Sequence, residues 1–369
     1  MENNSSVVLP ESARKRLLSL DVLRGLTVAG MILVNNGYDE SFEMLKHAKW
    51  NGMTPCDLVF PFFLFIMGVS CYLSLSKSKF VATKSVVWKV VKRTVLLFAI
   101  GLAINWFDHA IEGDLLCFGH LRIWAVMQRI ALCYFFVSIF ALFCNHRYTL
   151  PVIIGLLAVY TLILLLGNGY SEDAGINILA QVDLNLFGYD HLYHKSPVDP
   201  EGLVGTISGV AHVLLGFYCG KRIKESKTVE QKALAVFVVG TVCVILGYLL
   251  TYGLPLNKRI WSPSYVLVTC GLAALLQALF IYLIDIQNCS PRYYRAFQVF
   301  GVNALALYVG SELLAILFGH FGISSAIYEA LHAIIPPLKW ASLAYALTFV
   351  GINYLLGFFL WKKKIFIKL

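Results

Sequence analysis

The sequence predicts an all-α fold, a polytopic bundle of about ten transmembrane helices. Three observations carry that expectation. Hydrophobic residues make up 59% of the 369 and charged residues only 14%, where a soluble domain has about a quarter charged. The mean hydropathy is +0.72. The apolar residues gather in runs of about 20, the length a helix needs to cross the hydrocarbon core. In lipid, backbone amides must pair within their own segment, which favours helices.

The spans are expected at 20–37, 57–76, 86–107, 123–144, 150–168, 203–220, 232–252, 263–287, 296–320 and 341–361. The first follows the basic Arg14, Lys15 and Arg16. The second opens on Asp57 and ends before Lys77 and Lys79. The third carries Lys89, Lys92 and Arg93 at its start, and the fourth and fifth flank Arg147. The sixth ends at Lys221 and Arg222, with Lys224, Lys227 and Lys232 leading into the seventh. Arg292 and Arg295 separate the eighth from the ninth, and Lys362, Lys363 and Lys364 close the tenth. With the N-terminus inside, Lys and Arg favour the inside segments by roughly three to one, the positive-inside bias that sets orientation. Both termini are therefore expected in the cytoplasm. Residues 1–19 form a cytoplasmic segment without an apolar signal-peptide core, and 20–369 form one membrane domain. The net charge of +9 is then a topology device, and nucleic acid is not an expected partner.

The outside loops 108–122 and 169–202 are acidic and aromatic, with Asp108, Glu112, Asp114, Asp183, Asp199, Glu201, Tyr189 and Tyr193. Such groups suit hydroxyl-rich or amine-bearing ligands, and equally suit a solvated loop. The longer loop reads as some thirty residues without an apolar period, a length that is often functional. The nine cysteines show no metal spacing, so no metal site is expected and packing is their role. Cys56 and Cys117 both fall outside, which permits a disulfide.

Ionisable and amide groups in or near spans are costly there and are candidates for function. They are Asp21, Arg24, Asn35, Arg129, His212, Asn303 and Glu312. Asp21 and Arg24 share a helix face as a local ion pair. Arg129 needs a carboxylate or phosphate, and Glu312 is a candidate partner. His212 reads as a hydrogen-bonded core histidine. The densest group is His47, Trp50, Asn51 and Asp57, at the outer lip of the second span.

Several segments, in order, resemble one family. "SLDVLRG", Asn35, "KHAKWNGMTPCDLVFPFFLFIMG", "RIWAVMQRIALCYF", "DPEGLVGTISG", "NALALYVGSE" and "WKKKIFIKL" are similar to the transmembrane acetyltransferases of the heparan-α-glucosaminide N-acetyltransferase type. The resemblance implies transfer of acetyl from the co-substrate acetyl-CoA to the amine of a glucosamine-type acceptor across a membrane. It implies His47 as the active histidine, Asn35 as a catalytic asparagine, and a homodimer. The family's lysosomal members carry a lumenal domain and one further span, and this chain is expected to be a compact bacterial relative, in the inner membrane, without them.

On the chemistry of the residues, His47 is the candidate general base or a transient acetyl acceptor. Asn35 is a candidate oxyanion donor. Asp57 either orients His47 or neutralises the helix N-terminus. Trp50 offers a sugar-stacking wall or an interfacial anchor, beside Asn51. Gln128, Arg129, Asn303 and Glu312 are candidates to line a path for the pantetheine arm. The competing expectation is a transporter for a sugar or lipid-linked precursor, with the same buried polar residues lining its route. Acylation of a cell-wall hydroxyl differs only in the acceptor.

Overall fold

The computed structural model describes residues 17–38 and 40–367; the expected N-terminal segment lies almost wholly outside them. The helices are α1 Leu18–Asn35, α2 Val59–Leu75, α3 Lys84–Ile111, α4 Val126–Phe143, α5 Thr149–Leu166, α6 Ile178–Phe187, α7 Thr206–Glu225, α8 Val229–Leu250, α9 Pro263–Phe280, α10 Arg295–Val302, α11 Ala304–His320, α12 Ile323–Ile334 and α13 Leu338–Lys362. Among the described residues there is no strand. Every expected span is helical, but among the described residues seven helices are long and apolar enough to cross a membrane by themselves, or eight if the bent α10–α11 pair is one span.

The two expected spans outside that set are α3 and α7. α3 carries Lys84, Lys89, Lys92 and Arg93 in its first turns. α7 is rich in small and polar residues because protein, not lipid, surrounds it: Ser208, Gly209, Ala211, His212 and Gly216 are all buried. Glycines bring it close to α2. A Cβ on Gly216 would lie 2.1 Å from the Phe65 carbonyl oxygen, and one on Gly68 would lie 2.1 Å from that of Val213. By contrast α5 and α8 turn Ile154, Leu162, Phe237 and Ile245 outward, the composition of a lipid-facing surface. His212 is a core histidine as expected, fully buried with Nε2 bonded to the Pro61 carbonyl at 2.8 Å.

Two local expectations change. The ninth span is not straight: it bends by 85° between α10 and α11. The break falls at Asn303, whose Nδ2 donates to Ile365 O at 2.9 Å and whose Oδ1 accepts from Ile367 N at 2.9 Å. The amide thus ties the chain that follows α13 to the α10–α11 break. The long loop 169–202 contains α6, which starts at Asn177, whose side chain accepts from Leu179 N, and buries Leu179 and Ala180; its apolar period was too short to stand out.

Connections between helices are fastened to one another at two places. At one end Gly52 N donates to Leu256 O at 2.7 Å, Ile123 N to His191 O at 3.1 Å, and Trp50 Nε1 to Tyr170 O at 3.0 Å. At the other, Lys221 reaches the His146 carbonyl at 3.2 Å. Asp21 and Arg24 pair at 2.9 Å as expected. Cys56 and Cys117 are both free thiols, so the disulfide that their common side permitted is not formed.

Candidate active site

The segment 47–57 is shaped by local chemistry. Gly52 has φ +110°, which a side chain disfavours, so Asn51-Gly52 makes the turn. Thr54 and Pro55 then open a short 3₁₀ turn, Pro55–Leu58, that feeds α2. Asp57 closes this turn by accepting from Thr54 N at 3.1 Å through Oδ2. The same oxygen accepts from Ala48 N at 3.1 Å. Held this way and fully buried, Asp57 turns its other oxygen, Oδ1, to His47 Nδ1 at 2.7 Å. Asp57 thus caps the turn with one oxygen and meets the imidazole with the other.

The consequence for His47 is a fixed tautomer. A ring N–H donated from Nδ1 to a carboxylate leaves the Nε2 lone pair free, and the His47 side chain is 45% exposed while Asp57 is 0% exposed. Cys56 Sγ lies 3.1 Å from Nδ1, on the buried side.

Sequence reasoning missed a third group. Lys258 Nζ lies 3.0 Å from His47 Nδ1, 3.3 Å from Nε2 and 3.4 Å from Asp57 Oδ1. The loop between α8 and α9 carries it, and that loop is fastened to the His47 segment. Gly52 N bonds Leu256 O, Asn257 Nδ2 donates to Asn51 Oδ1 at 3.3 Å, and Arg259 Nε donates to Lys49 O at 3.0 Å. Asn51 thus acts on the site by holding the lysine's loop. No spacing signal could have revealed Lys258, which is 211 residues from His47 and reads in sequence as one more outside charge.

The ligand atoms of His47, Cys56 and Asp57 lie within 4.8 Å of one another, as do those of His109, Asp114 and His120. In the first group the Lys258 ammonium already stands beside the donors, and a metal cation would meet its repulsion.

The remaining expected site residues lie elsewhere. Trp50 is neither a wall nor an interfacial anchor: its indole is 6% exposed and packs with Tyr160, Leu164, Leu179 and Ile260. Asn35 Nδ2 donates to Glu312 Oε1 at 3.2 Å, and among the described residues no hydrogen bond joins Asn35 to His47. Glu312 is therefore not the partner of Arg129. Arg129, 1% exposed, donates through Nη2 to Pro200 O at 3.1 Å and Gly202 O at 3.0 Å, and lies over the Trp261 ring. Gln128 donates to Phe98 O at 3.3 Å. These residues pin backbone. Arg122, in turn, binds Asp199 at 3.2 Å and Glu201 at 2.9 Å.

A cavity of about 400 Å³ opens between α2, α3, α4 and the α10–α11 bend. Gln128, Arg129, Asn303 and Glu312 are not among its lining residues; Arg24, Ser70, Ser74, Arg93 and Tyr134 are. Arg24 Nη2 donates to Ser70 Oγ at 2.8 Å, and the Arg93 guanidinium lies 4.6 Å from the Tyr134 ring centre. The cavity follows α2 from Phe63 to Ser74, a rise of about 16 Å. Its near end at Phe63 stands about 9 Å along the helix from Asp57.

The family model for the heparan-alpha-glucosaminide N-acetyltransferase catalytic region matches residues 16–252, which include His47 and Asp57. The chain belongs to this family. Two curated proteins named heparan-alpha-glucosaminide N-acetyltransferase are similar to it. The human one is 30% identical over 365 residues, covering 81% of this chain and 53% of the relative. The mouse one is 28% identical over 363 residues, covering 82% and 54%. The chain therefore spans about half the length of the curated relatives it matches.

Proposed function

We propose that the protein is an integral membrane acetyltransferase that moves acetyl from acetyl-CoA to the amine of a glucosamine-type sugar. The observation that carries this reading is the His47–Asp57 pair, an imidazole with one nitrogen held by a buried carboxylate and the other open. That arrangement is what a base or nucleophile needs. The names of the human and mouse relatives supply the acceptor class.

In direct transfer, the neutral Nε2 takes a proton from the attacking amine as the amine nitrogen bonds to the acetyl carbon. The carbonyl electrons move onto oxygen. They return as the carbon–sulfur bond breaks and the coenzyme leaves as thiolate, which receives the proton from Nε2. In the covalent alternative Nε2 itself bonds the acetyl carbon and expels the thiolate; the amine then attacks that carbon, the Nε2–carbon bond breaks, and the amine's proton passes to Nε2 and on to the thiolate. Asp57 serves both routes by balancing the positive charge that the ring acquires.

The donor is a long molecule with a phosphorylated head. Two guanidinium groups, Arg24 and Arg93, border one cavity, and guanidinium is the side chain best matched to phosphate. The basic bias puts that end of the bundle in the cytoplasm, where acetyl-CoA is made, and His47 at the outer face. The slim pantetheine arm would run along α2 from the Arg24–Arg93 cavity toward Asp57.

Purified protein is to be incubated with acetyl-CoA and a panel of amino sugars, with products read by mass spectrometry. An acetylated amino sugar, absent with His47→Ala, supports the reading. Intact acetyl-CoA across the panel, with labelled sugar crossing vesicles unmodified, would replace it with a transporter.

A further inference from the structure

We propose that Lys258 is a catalytic residue whose ammonium stabilises the oxyanion that forms on the acetyl carbonyl beside His47. This rests on the acetyl-transfer reading above and adds to it the group that receives the developing negative charge.

The position of Nζ is unusual. It is nearly equidistant from the two ring nitrogens, at 3.0 and 3.3 Å. A point that close to both and in the plane of the ring would overlap Cε1, the atom between them. Nζ therefore stands over the face of the imidazole. From there it is not a simple hydrogen-bond donor to either ring nitrogen, whose lone pairs and N–H lie in the ring plane. Its contact with Asp57 Oδ1, at 3.4 Å, is longer than the 2.7–2.9 Å typical of a charge-assisted bond, so Asp57 holds the charge near without using up its donors.

That placement suits an acetyl carbonyl reacting at or next to Nε2. Attack on a planar carbonyl comes from above its plane, and the oxygen gathers negative charge as the centre becomes tetrahedral. An ammonium over the imidazole is within reach of that oxygen whether Nε2 attacks the thioester or takes the proton of an amine that does. No proton leaves Lys258 in either route: it remains an ammonium while one carbon–nitrogen bond forms and the carbon–sulfur bond breaks. The Lys258 side chain is 14% exposed, and a preorganised charge is worth more where water is largely excluded. Asn35, the oxyanion donor suggested by the sequence, gives one amide N–H to Glu312 at 3.2 Å, and among the described residues no hydrogen bond joins it to His47, whereas Lys258 stands against the ring itself.

The alternative is that Lys258 only neutralises the buried Asp57, and the test separates the two. Wild-type protein is first shown to make acetylated glucosamine from acetyl-CoA; failure at this point overturns the acetyl-transfer reading and the role of Lys258 with it. kcat, KM for both substrates and the melting midpoint are then compared for Lys258→Met and Lys258→Arg. Loss of one oxyanion donor is expected to lower kcat by about 10²–10³-fold. KM for both substrates and the melting midpoint of Lys258→Met should stay near wild type, and Lys258→Arg should recover part of the rate. In Lys258→Ala, added ethylammonium should restore acetylated glucosamine saturably, with acetylated ethylamine counted separately by mass. A Lys258→Met kcat within a few-fold of wild type overturns the proposal while leaving the acetyl-transfer reading intact. So does a loss that follows the melting midpoint and is not rescued by ethylammonium.

Discussion

Two groups of acids and bases sit at the same end of the bundle and end in opposite states. Around Asp57, one carboxylate holds the turn with one oxygen and His47 with the other, and the half-exposed imidazole keeps its second nitrogen off the carboxylate, with Lys258 Nζ 3.3 Å from it. Around Asp199, Arg122 binds Asp199 and Glu201 and lies over Tyr193, while Asp199 also accepts from Tyr193 N at 3.0 Å and Glu201 N at 2.9 Å. Next to it Arg129 holds the carbonyls of Pro200 and Gly202. The second group is closed: it is buried against the chain that enters α7, which it fixes, with Arg122 Nε and Arg129 Nε and Nη1 left without a hydrogen-bond partner among the described residues. Being ionisable near a membrane is therefore not enough for chemistry. What distinguishes the two is whether a reactive lone pair is left over and held still.

That contrast is open to test, and the largest effect belongs to the open group. His47→Ala should reduce acetyl transfer by about 10²–10⁴-fold with little change in melting midpoint, since the ring is partly exposed and its removal leaves Asp57 its backbone donors. Asp57→Asn should cost about a hundredfold in kcat, as a neutral amide no longer balances the imidazolium, and should also lower the melting midpoint by weakening the turn. Both follow from turnover assays paired with thermal melts.

The closed group should answer in stability instead. Arg129→Met leaves the Pro200 and Gly202 carbonyls unpaired, at about 1–3 kcal/mol for each buried group, and the melting midpoint should fall while folded enzyme keeps its KM values. A kcat loss with unchanged melting would place Arg129 back on the reaction path. Cys56 sharpens the contrast from the other side. Its thiol is 1% exposed and faces Nδ1, the nitrogen already given to Asp57, so Cys56→Ala should hold kcat within a few-fold in the same assay; a dead variant would make Cys56 the nucleophile.

The smallest effect is a pH slope. Burial pushes the Asp183 carboxyl up to about 6, above its ordinary value near 4. The folded state keeps a proton there that the unfolded chain releases, so this contribution to stability is full below about pH 4 and is lost as pH rises through about 6. Asp183→Asn keeps an acceptor for Leu203 N, which now bonds Oδ1 at 3.0 Å. Its melting midpoint should fall less than that of wild type between pH 4 and 7.

Much of the site was legible because it is local. His47 and Asp57 are ten residues apart on one turn, and the Thr-Pro-Cys-Asp run together with Asn-Gly already specifies a capped corner at a helix start. Arg129 was misread because sequence shows the charge but not the carbonyls of a loop folded onto it. Trp50 was misread because an aromatic at a span boundary is commonly interfacial, and only the packing of α6 and the 253–262 loop buries it.

By itself the sequence determined that this chain is a helical membrane protein, where most of its helices lie, and that a dense polar group around His47 sits at the start of one of them. Those are consequences of apolar run length and of contacts between near neighbours, both written in consecutive residues. Only the tertiary structure decided that Lys258 stands over the imidazole, that α10 and α11 bend at Asn303, and that Arg24 and Arg93 share a cavity. Each depends on segments tens to hundreds of residues apart being brought together. Hydrogen bonds and glycine-lined helix contacts accomplish that, and their partners have no fixed spacing in the chain.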